Sequence, residues 1–221
     1  MSTTLTAVII SARLLAGDGP TDNLVRNENA DNADIGNTIN GVNKLFNCQN
    51  FPLVPAPGGI QTVVQDGAIT TAFTENDPTG QVTTTTAPVS TLYFTYFFYL
   101  FPDATWTEFV TGALEVLNVS TGIPATDITL VPEGLLPAVK SYSVARFCMR
   151  VATQTGLWYN QKLQEREEDR ESVSKKFLQM GQEWNKQGNA QRDGFYMGAG
   201  TQLQPAMSIV EFVPRDWTPR R

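Results

Sequence analysis

The side chains that most often carry chemistry near neutral pH are scarce in this 221-residue sequence, which contains no histidine. That removes the usual general base, the commonest metal ligand and every Ser-His or Cys-His nucleophile arrangement. Cys48 and Cys148 lie far apart, with no CxxC pair. A zinc ion bound there would need carboxylates to complete its shell, a poor donor set, so two reduced, buried thiols are expected. Carboxylates remain. Glu165, Glu167, Glu168, Asp169 and Glu171 form a charge run. Such a run could in principle hold a divalent cation, but carboxylates on a helix point to different sides, and a solvated surface is expected. Asp103 and Glu108 can serve as acid and base only if the fold sets a second carboxylate opposite. No GxxxxGK[ST], GxGxxG, GxSxG or HExxH motif occurs. No catalytic, cofactor-binding or metal-binding residue is therefore expected, and the chain is expected to act by assembling with other chains.

Composition agrees with a packed protein, since 41% of residues are hydrophobic. Charge is unevenly spread along the chain. Residues 1–135 hold three basic and thirteen acidic side chains, a balance of −10, whereas residues 136–221 hold thirteen and nine, a balance of +4. Opposed patches of this kind can guide adjacent subunits together. Folding can equally mix both halves over one surface. An acidic chain is a poor clamp for nucleic-acid phosphates. The aromatic run 89–101 is too short to span a bilayer and ends at Pro102, so no membrane is expected as a partner. With no secretion signal evident, the Asn118-Val119-Ser120 sequon carries no meaning and a reducing cytoplasm is expected.

These residues must be positioned by elements that the hydrophobic period outlines. Ala7, Ile10 and Leu14 share one face of a helix expected over 4–15, which Gly17-Asp18-Gly19-Pro20 stops. Residues 21–32 read as a polar loop. A second helix is expected over 34–46 from the stripe Ile35, Ile39, Val42 and Phe46, capped by Asn32 or Asp34. Pro52, Pro55, Pro57 and Gly58-Gly59 then exclude a helix, and the pattern turns to strands. A hairpin is expected over 60–73 around Asp66-Gly67, a Thr-rich strand over 82–86, and an aromatic strand over 89–101 apolar on both faces.

A third helix opens at Asp103 or Thr105 and carries Trp106, Phe109, Val110, Leu114 and Leu117. A fourth is expected over 135–163, and a fifth, with Val173, Phe177, Met180 and Trp184 as a packing stripe, ends near Gly188. Residues 189–221 keep Phe195, Tyr196, Phe212 and Trp217 among glycines and prolines, with a strand only at 208–213. Such a segment cannot build its own core, so these aromatics are the expected subunit or partner interface. The fold class expected is α+β: four to five helices in a bundle, an inserted antiparallel β region and an extended C-terminal arm. The parts are 1–50 (N-terminal helices), 51–102 (β insertion), 103–188 (helical body) and 189–221 (arm).

Two stretches carry a resemblance. Leu14-Leu15-Ala16-Gly17-Asp18 followed by Ile39-Asn40-Gly41-Val42-Asn43 resembles the opening of phage head-to-tail connector or adaptor proteins. The long fourth helix, the Tyr159-Asn160 turn and the string Ser174-Lys175-Lys176-Phe177-Leu178-Gln179-Met180-Gly181-Gln182-Glu183-Trp184 are similar to the later half of that family. The resemblance implies a virion subunit that forms a homo-oligomeric ring between the portal protein and the tail or nozzle proteins. DNA would pass through the ring without specific binding, and acidic walls would let it slide. The alternatives are another virion structural protein, such as a neck, tail-terminator or capsid-decorating subunit, and a carboxylate-dependent glycan hydrolase.

Overall fold

Helix-forming residues at the two ends of the sequence and strand-forming residues between them fold as separate units in the computed structural model. It describes residues 4–56, 58–121, 127–159 and 167–197. The helical unit takes residues 4–17 and everything described from Asp103 onward, and the β unit is Asp18–Pro102. The chain is thus α+β, with a β unit inserted between its first and second helices. The insertion begins at residue 18, well before the expected 51.

In the helical unit, α1 (Leu5–Ala16) starts where Thr4 Oγ1 accepts from Ala7 N–H at 3.2 Å. It ends at Gly17, whose φ of +70° suits glycine and whose N–H caps the Arg13 and Leu14 carbonyls. The buried face of α1 is Val8, Ile9, Ala12, Arg13 and Ala16. The stripe expected to face the core does not: Ile10 is 52% and Leu14 55% exposed. Val8, Ile9 and Ala12 make a second apolar stripe on the other side of the helix. α1 is therefore apolar on two sides, and among the described residues only one of them is packed.

Helices α2 (Asp103–Thr121), α3 (Leu136–Tyr159) and α4 (Glu167–Tyr196) complete the unit, with α3 touching each of the other three helices. Trp106 is fully buried, stacks on Phe147 and meets Phe109 edge-on. Arg13 reaches over the Trp106 ring and pairs with Asp103 at 2.7 Å. α3 and α4 run antiparallel, as Ser174 donating to the Ala152 carbonyl at one end and Ser141 to Gln191 at the other require. Gly181 and Gly188 let them close up: a Cβ on Gly188 would sit 2.7 Å from the Tyr142 ring. Phe177 and Trp184 of the expected packing stripe are buried.

The β unit comprises β1 (Leu24–Asn29), β2 (Leu45–Asn47), β3 (Ile60–Gln65), β4 (Ala68–Thr70), β5 (Phe73–Asn76), β6 (Gln81–Thr84) and β7 (Leu92–Phe97). They form two antiparallel sheets, ordered β1-β7-β3-β4 and β2-β6-β5. Phe46 and Val82 of the second sheet join Val63, Leu92, Phe94 and Tyr96 of the first in one core. The expected Asp66-Gly67 hairpin is present, with φ of +50° and +82° at its two turn residues. β7 is covered on one face only: Leu92, Phe94 and Tyr96 are buried, whereas Tyr93, Thr95 and Phe97 are half-buried.

The helix expected over 34–46 is absent. Residues Ala33–Ile35 make one 3-10 turn, and Phe46 lies in β2. Asparagine side chains take the amide protons a helix needs: Asn40 accepts from Val42 and Asn43, and Asn43 from Leu45. Gly36 and Gly41, at φ of +76° and +72°, turn the chain between them. Both ends of the insertion are fastened. Asp18 accepts from Leu100 N–H at 2.6 Å within the β unit, and Arg13 holds Asp103 within the helical unit.

Candidate functional site

Two features concentrate what the described residues can do chemically: a polar cleft on the β unit, and apolar surface on the helical unit. The cleft begins with a backbone irregularity. Along β1, Val25 pairs with Tyr96 and Glu28 with Phe94, so Arg26 and Asn27 together face the single residue Thr95. This bulge holds Asn27 at φ +51°, a conformation asparagine tolerates better than most residues, and Asn27 N–H donates to Thr95 Oγ1 at 3.2 Å. The extra residue reverses the alternation that follows. It sets Glu28, rather than Asn27, opposite the buried Phe94.

Glu28 is 9% exposed and lies under a small polar network. Its Oε2 accepts a short hydrogen bond from the Tyr96 hydroxyl, and its Oε1 accepts from Gln49 N–H at 3.0 Å. The Tyr96 hydroxyl in turn accepts from the backbone and side-chain N–H groups of Asn50, at 3.2 and 3.4 Å. Burial raises the Glu28 carboxyl above its ordinary range, against the Tyr96 and Gln49 bonds that favour the carboxylate. Burial first, then the Glu28 charge, also raises the Tyr96 hydroxyl. Cys48 is pushed well up by burial and by the charges of Glu28 and Glu75, which leaves it a protonated, unreactive thiol at neutral pH.

Above this network opens a cleft of about 350 Å³, lined by Val25, Glu28, Asn29, Asp31, Asn32, Gln49 and Asn50. Among the described residues the lining has two carboxylates, four amides, one valine and no basic side chain. Arg26, the basic residue of the same strand, is exposed outside it. The electrostatics of the whole unit favour the same kind of ligand. Eight acidic and two basic residues fall within Asp18–Pro102, a balance of −6, and the rest of the sequence holds fourteen of each. The whole net charge of the sequence, −6, thus falls within residues 18–102. The cleft can take a cation or a group rich in hydrogen-bond donors.

The expected interface residues fall as follows. Phe195 and Tyr196 end α4, 39% and 55% exposed, with their rings edge-to-face at 5.3 Å. Met197 beside them is more exposed still. Helix α4 runs past Gly188, so residues 189–196 of the expected arm are helical. Phe195 is anchored as well as exposed: its ring lies against Gly134, where an added Cβ would be 2.6 Å away. Phe212, Trp217 and the strand expected over 208–213 lie outside the described residues, as do Glu165 and Arg166 of the charge run. Asp103 is held by Arg13, and Glu108 is exposed on α2. Cys48 and Cys148 are free and buried, one in each unit.

Nothing in the sequence period marked Glu28, Gln49 or Asn50. The bulge interrupts the alternation that would have identified β1, and Tyr96, the residue that buries Glu28, is 68 positions away. Among the described residues, no cluster of three or more acidic or thiol groups could hold a metal ion, and no helix is long and apolar enough to cross a membrane. No protein-family model, no curated protein and no solved structure matches this chain.

Proposed function

We propose that this chain is a structural subunit of a phage head-to-tail connector, assembling into an adaptor ring between portal and tail through which DNA passes. The observation that carries the reading is α1. One apolar side packs on the helical unit, and the other presents Ile10 and Leu14 to solvent. A helix with an apolar stripe on each side has more apolar surface than one packed face uses, and the exposed side fits a neighbouring subunit. The exposed end of α4, with Phe195, Tyr196 and Met197, adds a second apolar surface. Of the segments on which the resemblance to connector proteins rests, α1, α3 and α4 belong to one unit, whereas residues 39–43, expected on a helix, lie in a loop of the β unit. The acidic β unit suits contact with moving DNA, because it repels phosphates rather than holding them.

The test is the mass of the purified chain across a concentration series, alone and with a portal ring, by light scattering after size exclusion, followed by imaging of the particles. Closed rings, alone or on the portal, support the proposal. A monomer at every concentration that ignores the portal refutes it.

A further inference from the structure

We propose that the acidic cleft of the β unit receives the basic segment 215–221 of a neighbouring copy. The inference rests on the assembly reading above and names one of its contacts. Three observations lead to it. First, the cleft is a built site: Glu28 and Asn50 are more than nine-tenths buried, and Tyr96 and Gln49 fix the Glu28 carboxylate from below. Each Glu28 oxygen accepts one bond from the protein and has a lone pair left, directed by a network that cannot easily shift.

Second, among the described residues no basic side chain lines the cleft. Glu28 and Asp31 stand among amide side chains that can bond a planar donor group without repelling it. A guanidinium is the side chain that offers parallel N–H donors to a carboxylate and is weakly hydrated enough to leave water. Among the described residues no aromatic lines the cleft as a sugar-stacking platform, which makes a glycan the poorer fit. Third, the sequence supplies a complementary segment. Arg215, Arg220 and Arg221 against Asp216 give it a balance of +2, and the β unit carries −6. Seventeen residues lie between Met197 and Arg215, enough when extended to reach about 60 Å, the scale of a neighbouring subunit.

The test uses full-length chain in which Arg215, Arg220 and Arg221 are all changed to Gln, so that the cleft is intact and its own segment is disabled. A fluorescent peptide of residues 212–221 with the native sequence is titrated in, and its anisotropy is followed at low and at moderate salt. Saturable binding is expected, weakened by salt and reduced about tenfold by Glu28→Gln, since a charge-assisted bond contributes on that scale. Asp31→Asn should weaken it less. Unchanged circular dichroism and thermal transition keep either loss from being a folding defect.

Equal binding to the Glu28→Gln, Asp31→Asn double variant, or equal binding of a scrambled peptide, overturns the proposal by leaving only diffuse attraction to an acidic surface. A native chain that stays monomeric and refuses the peptide holds its segment in its own cleft, which overturns the assignment to a neighbour. Rings that form normally from the triple Arg→Gln chain while the peptide fails to bind remove this contact and leave the connector reading standing.

Discussion

Replacing Ile10 and Leu14 together by Gln separates the two roles an apolar helix can have. Both side chains are about half exposed, at 52% and 55%. Complete burial of such a side chain is worth ~1.5–3 kcal/mol, so a neighbour that covers the exposed half gains roughly 1 kcal/mol from each. The double change should therefore weaken each contact by about 2 kcal/mol, close to thirtyfold in its dissociation constant. Gln matches Leu in helix propensity, and neither residue packs in the core of the chain, so the free subunit should lose no more than ~0.5 kcal/mol. Sedimentation velocity over a concentration series reads the first quantity, and thermal unfolding of the dilute subunit reads the second. Assembly at unchanged concentration would refute the reasoning. So would a large fall in the thermal transition, which would place the stripe in the subunit's own core.

Other outcomes follow from particular contacts. Gly134→Ala puts a methyl 2.6 Å from the Phe195 ring, so the ring must swing out; a drop of ~1–2 kcal/mol in stability on chemical denaturation is expected, and Gly134→Ala in a Phe195→Ala background should cost much less. Folding raises the Glu28 carboxyl, so the folded chain binds its proton more tightly than the unfolded one. The sign follows directly: Glu28 favours folding at acidic pH and loses that contribution as pH rises through its folded value, a dependence that denaturant titrations should find missing from Glu28→Gln. Asp66 has the opposite sign. Backbone N–H groups of Ser90, Thr91 and Val89 lower it from 3.8 to about 2, so its contribution is present above about pH 4 and lost toward pH 2, a loss that Asp66→Asn should flatten. Burial pushes the Cys148 thiol up to about 12 and raises Cys48 too, so a thiol reagent should label the native chain slowly and the unfolded chain at once.

Much of this was legible in the residues, and the parts that were not share a physical cause. Helices α2 and α3, the Asp66-Gly67 hairpin and the core of β7 announce themselves through sustained periods or a turn dipeptide that admits few conformations. α1 is legible as a helix but not in its orientation, because it has an apolar stripe on each side and the choice between them is made by α2 and α3. Residues 34–46 carry a helical period in Ile35, Ile39, Val42 and Phe46, yet Asn40 and Asn43 between them satisfy backbone groups locally and remove the advantage of a helix. β1 reads as a polar loop because its only inward positions are Val25 and Glu28, separated by a bulge. The cleft was illegible for the same reason. Glu28 becomes a buried carboxylate only through Tyr96 and the 49–50 backbone, partners that local sequence does not bring together.

The central claim is that this chain works by closing into a ring of copies. Imaging the purified chain mixed with a portal ring, with the mass of the same sample measured by light scattering, tests it most directly. Closed rings of integral mass seated on the portal are expected, and changing Ile10 and Leu14 to Gln should abolish them. A folded monomer that leaves the portal bare at every concentration would contradict it.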